Sequence, residues 1–173
     1  MLNCVARLAC LLAVAVLGAC ATRNSDDEPC PVSGVLGEAE TRTTLASGSA
    51  QVSDIVQRVT VSGAKLSCSY RGKKGLVSSI SFDITVENGP TAAAGSADVP
   101  YFVAVSRGKS ILARQTFARR IDMGKKARET VRERVGMIKI PFAEGTTGAS
   151  YTVVVGLVLT PEELAYNRER RGQ

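Results

Sequence analysis

The sequence predicts an all-β fold, an antiparallel β-sandwich of about eight short strands with one short C-terminal helix. Three observations carry this. Apolar and polar residues alternate with a period of two: Leu76, Ser78, Ile80, Phe82, Ile84 and Val86 share one face, and Val77, Ser79, Ser81, Asp83, Thr85 and Glu87 the other, as a half-buried strand requires. Short, charged links with glycine, such as Arg71-Gly72-Lys73-Lys74-Gly75 and Arg107-Gly108-Lys109, separate such runs and read as hairpin turns. A capped helix start occurs once, at Thr160-Pro161-Glu162-Glu163. Many short strands between glycine turns point to a sandwich of immunoglobulin or fibronectin type.

In chain order, Val35 to Leu45 is a weak run and Asp54 to Val61 a better one. Ala64, Leu66, Cys68 and Tyr70 alternate with polar residues and form a hairpin with Leu76 to Glu87. Asn88-Gly89-Pro90 and Ala92 to Gly95 make a loop. Tyr101 to Ser106 is a strand, and Ile111 to Ile121 its return. The segment 127–135 is ambiguous: Ala127, Val131, Val135 and Ile138 fit helical spacing, whereas Arg128, Thr130, Arg132 and Arg134 fit one strand face. Gly136 and the run Met137 to Pro141 favour a strand. The turn-like Asp122-Met123-Gly124-Lys125 would then pair it with Ile111 to Ile121. Tyr151 to Leu159 is nearly all apolar and should be central. The terminal helix has Thr160 as N-cap, Pro161 in its first turn and Arg168, Arg170 and Arg171 at its end, which suits the dipole. Leu164 and Ala165 are expected to dock it on a sheet edge. Tyr101, Phe102 and Tyr166 read as core or docking residues.

The amino-terminal segment has a different character. Its apolar run, Leu8 to Ala19, is 12 residues long, too short for a bilayer span of about 20 and right for the core of a secretory signal. Arg7 supplies the positive flank. The run closes at Leu17-Gly18-Ala19-Cys20, which resembles the lipobox of bacterial lipoprotein precursors. The resemblance implies that Cys20 is acylated and becomes the mature N-terminus; the rival is a plain signal peptide with a chance cysteine. Cys4, Cys10 and Cys30 lack the apolar approach. Residues 1–19 would be the signal, 20–33 a polar lipidated tether, 34–160 the sandwich, and 161–173 the helix and basic tail. Ala21 follows the lipid cysteine, and in Gram-negative sorting a residue other than Asp implies the outer membrane, its inner leaflet facing the periplasm.

Cleavage before Cys20 leaves 154 residues, enough for one domain with a substantial core. Losing Arg7 takes the net charge from +6 to +5. Cys30 and Cys68 remain as an even pair in an oxidising compartment and read as one disulfide, the alternative being two free buried thiols. Histidine is absent. That removes His-based acid–base chemistry, His-activated nucleophiles and His-ligated zinc, and no metal or cofactor is expected. Further stretches resemble a proteobacterial lipoprotein family without established activity: Cys30-Pro31, the Cys68 strand, Pro100 to Val105, and Gly156 to Arg168 with its Leu159-Thr160-Pro161-Glu162-Glu163-Leu164-Ala165-Tyr166-Asn167-Arg168 end.

Two spacings imitate catalytic motifs. Ser62-Gly63-Ala64-Lys65 and Ser106-Arg107-Gly108-Lys109 match Ser-x-x-Lys, but strand residues three apart point to opposite faces, and the partner motifs are missing. Gly108-Lys109-Ser110 fails as a phosphate loop because position 103 is Val103. No catalytic residue is assigned. The strongest functional signal is basic: Arg119, Arg120, Lys125, Lys126, Arg128, Arg132 and Arg134 fall within 16 positions with three acids among them. On a hairpin they would offer an anion-binding surface to acidic lipid, lipopolysaccharide or an envelope protein. The competing reading is a solvated hairpin whose charges guard an edge. Nucleic acid is not an expected partner. The expectation is a lipid-anchored, non-catalytic interaction module of the cell envelope. A purely structural assembly lipoprotein is the first alternative, and an enzyme using carboxylates or a Ser-Lys pair the second.

Overall fold

The computed structural model describes residues 28–46, 52–90, 92 and 95–172; Cys20 and the lipobox lie outside them. Among the described residues the chain forms eight strands and one α-helix: β1 (Val32–Val35), β2 (Thr41–Leu45), β3 (Ile55–Tyr70), β4 (Gly75–Asn88), β5 (Gly95–Arg107), β6 (Ser110–Gly124), β7 (Arg128–Pro141), β8 (Thr152–Leu157) and α1 (Pro161–Arg171). They build a β-sandwich. The first sheet has the order β1-β8-β5-β6 and the second β2-β3-β4-β7. All pairs are antiparallel except β1 with β8, which run parallel.

Several expected elements change shape. The weak run Val35 to Leu45 is not one strand: β1 ends at Val35, a short 3-10 turn at Gly37–Ala39 follows, and β2 joins the opposite sheet. β1 also begins at Val32, within the span expected to be tether. The two runs before residue 70 are one strand of 16 residues. They look separate because the ladder with β4 shifts between Ser62 and Lys65, where Gly63 has φ of 64°. A bulge adds one residue and so exchanges the faces. Val59 and Val61 point inward before it, and Leu66 and Cys68 after it.

β7 repeats the device. Its ladder with β4 shifts between the pairs Ile80–Val135 and Ser78–Ile138, at Gly136 and Met137. Val131 and Val135 face the core before the bulge, Ile138 and Ile140 after it. That reset is why the apolar positions imitate helical spacing. The segment is a strand, but it does not pair with Ile111 to Ile121. Among the described residues β6 pairs only with β5, and β7 pairs with β4 in the other sheet. The turn at Asp122–Lys125 therefore passes the chain from sheet to sheet and makes no hairpin.

The core lies between the sheets. Leu76, Ile80, Phe82, Ile84 and Val86 of β4 are at most 2% exposed. They face Val99, Tyr101 and Val103 of β5 and Val153, Val155 and Leu157 of β8. Phe82 meets Tyr101 edge-on at 5.2 Å between ring centroids, and Tyr101 stacks on Phe117 at 5.4 Å. Phe102, on the other side of β5, packs outside the sandwich with Ala39 and Ala104.

The helix starts as its sequence dictates. The Thr160 hydroxyl accepts from the Glu163 backbone N–H, and the Glu163 carboxylate accepts from the Thr160 N–H. Its docking is mainly polar, unlike the expectation: Ala165 is exposed and Leu164 half-buried. The Asn167 amide donates to the carbonyls of Glu38 and Thr41, and Arg168 pairs with Glu38.

Cys30 and Cys68 are bridged, with Cα atoms 5.9 Å apart. Near this bond the Tyr70 hydroxyl donates to the Pro29 carbonyl at 2.7 Å and accepts from the Gly148 N–H at 3.0 Å. The entering chain is thus fastened to the end of β3. Closing 38 positions stabilises by about 4 kcal/mol in the chain-entropy account. Replacing both cysteines by alanine should lower the melting temperature by about 10 °C, read by circular dichroism on oxidised protein. A variant melting with the wild type would show that the bridge contributes nothing.

Candidate functional site

The outer face of the second sheet is built by pairing register. Because β2, β3, β4 and β7 lie side by side, residues from distant positions form rows across it. Thr41, Thr60, Thr85 and Thr130 make one row. Thr43, Arg58, Glu87 and Arg128 make the next, then Ser62, Asp83 and Arg132, and then Lys65, Ser81 and Arg134. Hydroxyls and charges alternate over a surface without an apolar centre.

Two of its arginines are held by acids. Nη1 of Arg132 donates to both carboxylate oxygens of Asp83 at 2.9 Å, and Arg128 meets Glu87 at 3.1 Å. Arg134 donates to the Ser79 hydroxyl at 2.9 Å, and the Thr85 and Thr130 hydroxyls share a bond of 3.0 Å. Arg58 and Lys65 make no ion pair among the described residues. With Lys139, opposite Val77 beyond the β7 bulge, six cations against two acids leave this face at +4. Exposed pairs contribute about 0–1 kcal/mol each, so the acids order the arginines more than they stabilise the fold.

The seven basic residues singled out in the sequence are divided by the structure. Arg128, Arg132 and Arg134 stand on this face. Lys125 and Lys126 lie in the turn between sheets, where Lys126 pairs with Glu129 at 2.8 Å. Arg119 and Arg120 belong to β6 of the other sheet. Arg119 reaches across to Glu133 of β7 at 3.5 Å and helps close the gap between the sheets. The expected single basic hairpin does not form. Conversely, Arg58 and Lys65 join the face although they lie 70 and 63 positions before Arg128 in the chain. Their outward parity was readable on β3, but their neighbours were not.

Two other expectations meet the structure here. Ser62 and Lys65 both point outward, because the bulge between them cancels the alternation that should have separated them. Both are exposed on the open sheet surface. Tyr166, expected to dock, lines a polar hollow of about 350 Å³ between α1 and this face, with Thr43, Arg58, Thr60, Glu87 and Arg170. The guanidinium of Arg170 donates to its hydroxyl at 3.0 Å. Among the described residues no group of three or more Cys, Asp and Glu gathers as a metal site, and no helix is long and apolar enough to cross a membrane.

Beneath the Arg119–Glu133 pair lies Tyr101, 3% exposed. Burial pushes its hydroxyl up to about 12; the negative charge of Glu133 adds to this, and Arg119 works against it. An unfolded tyrosine ionises near 10. The folded chain thus holds this proton more tightly, so the associated stability is whole below pH 10 and is lost as pH rises from about 10 to 12. The loss should be about 2–3 kcal/mol. Denaturant midpoints at pH 9 and pH 12 should therefore fall further for wild type than for Tyr101→Phe. Equal losses would mean that Tyr101 ionises as freely in the fold as outside it.

Comparison with protein-family models, with curated proteins and with solved structures finds no match to this chain. The face and its charges are therefore interpreted from their own chemistry.

Proposed function

We propose that this chain is a lipid-anchored envelope lipoprotein that acts as a non-catalytic interaction module, and that the outer face of the second sheet meets its partner. One observation carries the second statement: Arg58, Lys65 and Arg134 project from a broad hydroxyl-rich face and make no ion pair among the described residues, Glu87 beside Arg58 being held by Arg128. Guanidinium and ammonium groups at strand spacing, with serine and threonine hydroxyls between them, suit repeated anionic groups such as lipid phosphates or the phosphates of lipopolysaccharide. The paired Arg128 and Arg132 keep donors at the surface in fixed orientations. The anchor is supported by the lipobox residues Leu17 to Cys20 and by the short apolar run before them. Two acyl chains hold a protein firmly where one holds it marginally. An anchor would therefore keep a weakly binding face close to its target, which raises effective concentration without any new contact.

The anchor is tested by Cys20→Ser. The variant should leave the membrane pellet and appear in the soluble fraction of osmotically shocked cells. If it pellets like wild type, Cys20 is not the anchor.

The face is tested on the domain from residue 28 onward, with vesicles containing phosphatidylglycerol and with lipopolysaccharide. Binding should weaken steadily as salt shortens the Debye length from about 10 Å at 0.1 M. Replacing Arg58 with Gln and reversing Lys65 and Arg134 to Glu should remove it with little change in melting temperature, since none of the three has an ion pair to lose and neither new carboxylate stands opposite an acid in the ladder. Arg132→Glu should instead destabilise, because it sets a carboxylate against Asp83. Binding indifferent to salt, or retained by the triple variant, would reduce the face to solvated surface.

A further inference from the structure

The first sheet ends in a long strand, β6, whose first half is uncovered by any of the described residues. β6 pairs with β5 along one edge, and no strand pairs with its other edge among the described residues. From Ser110 to Thr116 every residue is exposed, so the strand meets solvent on both faces as well as along its edge. Ile111 is 68% exposed and Leu112 49%. β7 is the last strand of the second sheet and lies beside β6, joined to it by the Arg119–Glu133 pair. Beyond that pair the two edges part. A cleft of about 190 Å³ opens there onto the core, lined by Val103, Val105, Ala113, Phe117, Val135 and Met137. Met137 contributes because of the β7 bulge: its φ is 59°, and its side chain is 73% exposed at the rim. A left-handed backbone at a methionine is costly, and here it sits at the β7 bulge on the rim of the cleft.

The charge on β6 itself has one sign, although Asp98 of β5 stands opposite Arg120 and Glu133 of β7 pairs with Arg119. Arg114, Arg119 and Arg120 lie on β6, and no acid occurs from Ser110 to Ile121. Arg114 is spread over the Phe102 ring at 4.0 Å. Basic residues on an edge hinder indiscriminate pairing, and the same charges select an acidic strand.

We propose that β6 receives an extended segment of a partner protein in which apolar and acidic residues alternate. The segment pairs with Ser110 to Arg120 as a fifth strand of the first sheet. Alternate side chains point to opposite faces: the apolar ones enter the cleft beside Phe117 and Val135, and the acidic ones meet Arg114 and Arg120 outside. Main-chain bonds supply the affinity and the alternation supplies the selectivity, as in strand addition generally. A second copy of this chain is a poorer occupant. Self-pairing brings two copies of the same basic strand together with no acid from Ser110 to Ile121 to offset them, and like charges brought together across strands are destabilising.

The test is hydrogen exchange by mass spectrometry on the full chain in detergent, with three nine-residue peptides. One alternates Val and Glu, one alternates Val and Lys, and one has the Val and Glu residues in two blocks. The alternating acidic peptide should slow exchange in 110–120 on the order of tenfold at ten times its dissociation constant, and the other two should leave it unchanged. Arg114→Glu with Arg120→Glu changes two exposed side chains, the first of which lies over Phe102, and should transfer the protection to the lysine peptide. The proposal falls if the acidic peptide gives no protection, or if all three protect alike. It also falls if the free chain sediments as a dimer with residues 110–120 already protected, which would make a second copy the occupant.

Discussion

The inward row of β4 is the interaction on which the molecule depends. Leu76, Ile80, Phe82, Ile84 and Val86 are almost wholly removed from water. Each such side chain contributes roughly 1.5–3 kcal/mol of transfer free energy, together comparable to the net stability of an ordinary domain. β4 is also the strand to which both β3 and β7 are hydrogen-bonded. Its inner face sets the distance between the sheets through Phe82 and Tyr101, and its edges set the register of the second sheet. Every row on the outer face is a consequence of that register.

Bulges convert this regular scaffold into a particular surface. At Gly63 and at Gly136–Met137 one extra residue exchanges the faces of a strand. Without the first exchange, Leu66 and Cys68 would point to solvent, and Cys68 could not meet Cys30. Without the second, Ile138 and Ile140 would leave the core. The exchanges keep apolar residues inside while Lys65 and Arg134 stay outside. The gap between β6 and β7 is open at the end where the second bulge lies, whereas Arg119 and Glu133 bridge it at the other. The outer face of the second sheet and the free edge of the first are therefore separate surfaces. One is flat and rich in hydroxyls; the other is narrow, with an apolar interior.

The polar network around the entering chain has its own logic. The Cys30–Cys68 bond, the Tyr70 hydroxyl and the Gly148 amide converge on one end of the sandwich. There Phe142 stacks on Tyr151 at 5.7 Å and meets Tyr70 edge-on at 5.4 Å. Burial pushes the Tyr151 hydroxyl up, but hydrogen bonds from Thr146, Ala143 and Arg107 outweigh this and hold it below the ordinary tyrosine value. A chain entering at this point is fixed to both sheets, so tension on its N-terminal side would be shared by the whole core.

What the sequence determined by itself was local. Period-two alternation identified the inner row of β4, glycine turns placed the β3–β4 and β5–β6 hairpins, and the capping residues at Thr160 to Glu163 started the helix. Two remaining cysteines implied their bridge. These features depend on neighbours within a few positions, or on there being only one possible partner. The tertiary structure decided everything that depends on which strand lies beside which. It divided Val35 to Leu45 between two sheets, merged two runs into β3, and sent β7 to β4 instead of β6. The helical spacing of Val131, Val135 and Ile138 was the trace of a bulge, visible only once the ladder with β4 existed. The basic residues were legible as a count and not as a surface. Charge is additive along the chain, but a face is assembled from strands far apart in it, and hydrophobic alternation says which side a residue takes without saying what stands next to it.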